Sequence, residues 1–175
     1  MATFSHPDCV ASWQGNYFAK DAGPNGSPAW HHFSLNVTAA QAVQNSIFKM
    51  CKLSSDTVVL GGFITTTGVD GHSTATATVD VGFLSDANTD GDTDVIDYWV
   101  DGHACANSGA RATTTLEAMD GLFYPADTLT STGAATTGYF IACKMITAVG
   151  TSAVGNITLS LLLASKNAGD GASAV

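Results

Sequence analysis

Charge is what this 175-residue chain has least of: only 12% of its residues are Asp, Glu, Lys or Arg, about half the ~25% usual in a globular domain. Lys20, Lys49, Lys52, Arg111, Lys144 and Lys166 are the only strongly basic residues, they form no run, and the net charge is −9. A chain without a basic stretch has no electrostatic source for gripping a phosphate backbone or an anionic bilayer, which excludes nucleic acid and membrane as partners. Glutamate is nearly absent too. Glu117 is its single occurrence beside 14 aspartates. Glu suits helices and Asp suits turns, so the bias points away from helical architecture. No apolar run approaches the ~18 residues of a membrane span. The opening MATFSHPDCVASW has no basic region leading into an apolar one, so synthesis and assembly in a cytoplasm are expected. Cys9, Cys51, Cys105 and Cys143 are too scattered for a disulfide framework in that reducing setting and are expected as reduced, mostly buried thiols.

In place of charge the chain has Thr, Ser, Ala and Gly, arranged with the two-residue period of half-buried strands. Ala75, Ala77, Val79, Val81 and Phe83 alternate with Thr74, Thr76, Thr78 and Asp80. The β-branched run 57–66 precedes them, and Gly68-Val69-Asp70-Gly71 between the two predicts a hairpin. Phe33, Leu35 and Val37 alternate in a strand that starts near His31. Residues 39–53 read as a short helix or turn and then a strand, although Ile47 and Leu53 break parity with Phe48, Met50 and Cys51. Residues 95–100 read as a strand, and 113–119 as a strand or one helical turn. Residues 139–146 and 156–164, the latter with Ile157, Leu159, Leu161 and Leu163 on one face, predict a second hairpin across 150–155.

About eight short strands with turn signals between them predict an all-β fold, an antiparallel β-sandwich of jelly-roll type with an Asp-rich loop. The chain is long enough to bury a core without staples. Its expected organisation is an N-terminal arm or extension (1–29), a β-sandwich domain (30–166) and a flexible tail (167–175).

The Asp-rich loop carries the one motif with chemistry. Asp86, Asn88, Asp90, Asp92, Asp94 and Asp97 fit D-x-[DN]-x-[DN]-G with a carboxylate at the twelfth position, and Gly91 takes the sharp turn, the spacing that wraps oxygens around Ca²⁺. The last ligand is Asp rather than bidentate Glu, and no helices flank it. The alternative is a solvated connection with local side-chain to backbone bonds. His31-His32 point to opposite faces of a strand, and His103-Ala104-Cys105 lacks a second pair, so neither chelates a metal. There is no nucleophile elbow and no phosphate loop. No catalytic residue is expected. Trp13, Trp30, Tyr98, Trp99 and Tyr124 are aromatics for core packing or for anchoring a partner or sugar.

The run Thr57-Val58-Val59-Leu60-Gly61-Gly62-Phe63-Ile64, the strand ending Val79-Asp80-Val81-Gly82-Phe83, the acidic turn at 90–97 and the final Gly155-Asn156-Ile157-Thr158-Leu159-Ser160 resemble virion structural proteins of tailed bacteriophages, the small capsid decoration or cement proteins in particular. The resemblance implies a non-enzymatic β-rich protein, a homotrimer on the capsid exterior that binds the major capsid protein where capsomers meet. It brings no cofactor and no catalytic signature. The near-complete Ca²⁺ loop departs from it and supports an alternative, a Ca²⁺-dependent glycan-recognition or adhesion module of a phage fibre or tail, with Tyr98 or Trp99 beside the loop.

Overall fold

The computed structural model describes residues 3–5, 28–53, 57–85, 98–106, 110–116, 139–151 and 154–165. They form nine strands: β1 Thr3–Ser5, β2 Ala29–Val37, β3 Ile47–Leu53, β4 Thr57–Thr67, β5 Thr78–Ser85, β6 Val100–Ala104, β7 Arg111–Thr115, β8 Tyr139–Thr147 and β9 Gly155–Ser165. The first sheet runs β1-β3-β8-β5-β6 and the second β2-β9-β4-β7. Every pairing is antiparallel except β1 with β3. The protein is an all-β sandwich, with no helix among the described residues.

Alternation builds the core. In β9, Ile157, Leu159, Leu161 and Leu163 are at most 1% exposed. Register carries Phe33 and Ile64 onto Leu159 from either side. In the first sheet, Phe48, Cys143 and Val81 form one cross-strand row, and Cys51, Ile141 and Phe83 another. One hydrophobic cluster takes in both sets, which is the interior of a sandwich. Its apolar burial supplies the main stabilisation. The parity break in 47–53 is a bulge between Lys49 and Cys51.

Both predicted hairpins are absent. β4 and β5 lie in different sheets, as do β8 and β9, so each connection crosses from one sheet to the other. The turn signature at 68–71 is real, since Gly68 sits at φ +63°, but it begins a crossover instead of a two-stranded return. The alternation seen from Thr74 also starts too early. The amides of Thr76 and Ala77 bond to the Asp70 carboxylate, and the ladder begins only at Thr78. Gly155 opens β9 where a Cβ would run into the Thr67 carbonyl and the backbone of Gly68 and Val69, so only glycine fits against that crossover.

Of the strand expected at 95–100, residues 95–97 lie outside the described residues, 98–99 form a bend, and Val100 opens β6. The ambiguous 113–119 contributes β7, a strand over Arg111–Thr115. Thr38–Gln41 is a turn before β3, held by the Thr38 amide and hydroxyl on the Gln41 side-chain oxygen at 2.9 and 3.0 Å. Of the expected arm, β1 pairs in parallel with β3, Thr3 opposite Ile47. The expected tail at 167–175 lies outside the described residues.

Candidate functional site

The four strands of the second sheet carry one charged residue between them, Arg111. Their outward side chains form rows set by register. Trp30 stands beside Leu162; His32, Ser160, Phe63 and Thr115 follow in line; then Ser34, Thr158, Thr65 and Thr113; then Asn36, Asn156, Thr67 and Arg111. This face is open to solvent at its aromatic end, where Trp30 is 51% exposed. The Trp30 ring lies within 6° of the His32 plane at 6.5 Å and packs at a tilt on Phe63 at 5.8 Å. Hydroxyl pairs lie across the rows: Ser34 to Thr158 at 2.9 Å, Thr65 to Thr113 at 3.1 Å and His32 Nδ1 to Ser160 Oγ at 2.8 Å. Such cross-strand pairs fix the rotamers of short side chains. All of these residues but Thr113 line, with Phe63, Asn156 and Thr67, a groove of about 370 Å³ between His32 and Arg111, within the range of ligand-sized sites.

Two buried polar groups lock the frame behind this face. Asp70 is fully buried and its carboxylate accepts the amides of His72, Thr76, Ala77, Gly150 and Thr151 at 3.0 to 3.3 Å. Burial alone would raise its pKa, but the amide donors outweigh it and hold the carboxyl far below its usual range. His103, on β6 of the first sheet, bridges to the second: Nε2 lies 3.0 Å from the Thr66 hydroxyl and Nδ1 2.7 Å from that of Thr114. Burial lowers its pKa and keeps the ring neutral. Cys51, Cys105 and Cys143 are buried. Burial, with the Asp70 charge adding to it, pushes the Cys105 thiol up to about 12, which makes it a poor nucleophile.

The candidate Ca²⁺ ligands Asp86, Asn88, Asp90, Asp92, Asp94 and Asp97 all lie outside the described residues, as do Trp13 and Tyr124. Among the described residues no three His, Cys, Asp or Glu side chains gather as a metal site. His31 and His32 do face opposite ways, His31 stacking on Phe33 and His32 on Trp30. Trp99 is core, edge-on to Phe83, with Tyr98 packed beside it. Of the described aromatics singled out from the sequence, Trp30 is the one most open to solvent. Sequence reading missed Phe63 as its neighbour and Arg111 at the far end of the same face, because each acquires that place only through register. The basic residues form no run in the sequence, and folding sets two of them, Lys49 and Lys52, over one ring, their Nζ atoms 4.3 and 5.4 Å from the Phe140 centroid.

No protein-family model matches the chain, and no curated protein does. Solved structures do. A chain of the capsid of Ralstonia phage GP4 superposes with a TM-score of 0.68 at 16% identity, over 98% of this chain and 100% of that one. A chain of the cyanophage Pam1 capsid asymmetric unit gives 0.59 at 18% identity, over 80% of this chain and 86% of that one. The sandwich of this protein is thus a fold that two phage capsids contain.

Proposed function

We propose that the protein is a non-enzymatic structural component of a phage virion that decorates and stabilises the capsid from outside, as a homotrimer bound to the major capsid protein at capsomer junctions. The observation that carries this reading is the end-to-end likeness to a GP4 capsid chain: a capsid component consisting of a sandwich of this kind and size exists. The strand order lends support. Leaving β1 aside, 3-8-5-6 packed on 2-9-4-7 is the order that two Greek keys of a jelly roll would produce. Composition agrees with a surface made to be covered, since Thr, Ser, Ala and Gly lose less side-chain entropy on burial than Lys or Glu. A trimer touching several capsid subunits gains avidity from modest contacts and needs no catalytic site.

The test is size-exclusion chromatography with light scattering, with and without EDTA, followed by co-sedimentation with shells of the cognate capsid lacking this protein. A trimer indifferent to EDTA that sediments with the shells is the expected result. A monomer that stays in the supernatant would overturn the reading, and an oligomer dispersed by EDTA would transfer weight to the acidic loop as a Ca²⁺ site.

A further inference from the structure

The groove on the outer face of the second sheet goes beyond capsid stabilisation. The groove and its rim offer what recognises a saccharide: short hydroxyl and amide side chains in the lining for the hydroxyl edges of a sugar ring, and at the rim, packed on the lining residues His32 and Phe63, the exposed Trp30 indole for its apolar C–H face. Trp30 is half exposed, aligned with His32 and packed at a tilt on Phe63. A ring so held loses little freedom when a ligand lies on it. Beyond the aromatics the floor is Ser34, Thr158, Thr65 and Asn156, whose hydroxyls and amide retain bonding capacity beyond their mutual contacts. At the far end stands Arg111, exposed, the only charged residue lining the groove. No described carboxylate pairs with it, and the sheet that carries it has none to offer.

That last point selects the occupant. Two copies laid face to face would leave both guanidiniums without an anion, so the face is not complementary to itself. A planar guanidinium binds a carboxylate in a two-pronged geometry. We propose that the groove binds a uronic-acid-bearing oligosaccharide, one sugar ring on Trp30 and a carboxylate on Arg111, without a metal ion. On a virion such a site would hold the particle to an acidic polysaccharide at a cell surface, a role independent of whether the protein is a capsid clamp.

Isothermal titration of the full chain in EDTA tests this with three probes: hexagalacturonate, neutral maltohexaose and hexaaspartate. Hexagalacturonate is expected to bind best. Trp30→Ala should weaken it about tenfold or more, and Arg111→Gln should erase its advantage over maltohexaose. Thr158→Val, which removes a floor hydroxyl at nearly constant shape, should cost several-fold. Thermal transitions of the variants within a few degrees of the parent would show that the sheet is intact. No heat with hexagalacturonate, binding unchanged in both Trp30→Ala and Arg111→Gln, or hexaaspartate binding as tightly as hexagalacturonate would each overturn the proposal, the last in favour of an acidic peptide. Since shells are not involved, failure here leaves the capsid reading standing, and loss of shell binding leaves this one standing.

Discussion

The two sheets divide their residues in a way that hydrophobicity alone would not suggest. In the first sheet β3, β5 and β8 are largely buried on both faces, yet they contain Lys49, Lys52, Asp80 and Lys144. The second has an open face, yet contains Arg111 alone. In the first, charge is absorbed internally: Lys52 is 3% exposed with its ammonium over Phe140, and Asp80, 6% exposed, accepts the Gly102 amide at 2.7 Å, where Gly102 sits at φ +79° beside a bulge. Buried charge survives only when bonded in this way. In the second, the outward residues between the aromatic end and Arg111 are mostly short and neutral, and several are paired with one another. The first sheet therefore has little surface to spare for a ligand, and the second has little to lose by covering its own.

If that division holds, substitutions in the first sheet damage stability and those on the open face damage binding. Phe83→Ala, at a fully buried position against Trp99 and Tyr98, should destabilise by about 3–5 kcal/mol in urea unfolding. A loss below 1 kcal/mol would break the comparison. Asp70→Asn keeps shape but replaces one acceptor by a donor facing amides, and a loss of about 2–3 kcal/mol is expected. Acid should act through the same groups. The Asp70 carboxyl is held below its ordinary 3.8, so its contribution is complete above that value and is lost as pH falls through the folded value. His103, lowered from 6.5 by burial, binds fewer protons folded than unfolded, so its contribution is complete above 6.5 and declines as pH drops below it. Thermal unfolding at pH 7.5 and 5.5 should show a drop that His103→Gln reduces. The smallest expected effect sharpens the contrast from the other side: Thr113→Ala, on the open face, should change stability by less than about 0.5 kcal/mol.

The strands were legible in the sequence because a half-buried sheet writes its period into the chain: Ile157, Leu159, Leu161 and Leu163 announce β9 without help from any neighbour. Pairing was not legible. A glycine turn followed by an alternating run describes a hairpin and a sheet-to-sheet crossover equally well, and what separates them here is a carboxylate that captures the Thr76 and Ala77 amides before a ladder can form. The groove was hidden for a related reason. His32 and Ser160 meet across 128 positions, and Arg111 joins them only because β7 lies on β4. Trp30 stood out as an aromatic, but no local pattern distinguishes an exposed indole from a buried one such as Trp99.

The bonds to Asp70 also bear on how the molecule comes apart. One side chain fastens residues 72–77 of one crossover to residues 150–151 of the other. Neither connection can lift without exposing a buried anion, so the two should open together. Native-state hydrogen exchange would register this as five amides, all outside the strands, that share one opening free energy close to that of the core. Loops that do not breathe separately resist proteolysis, because a protease needs only one loose loop to begin.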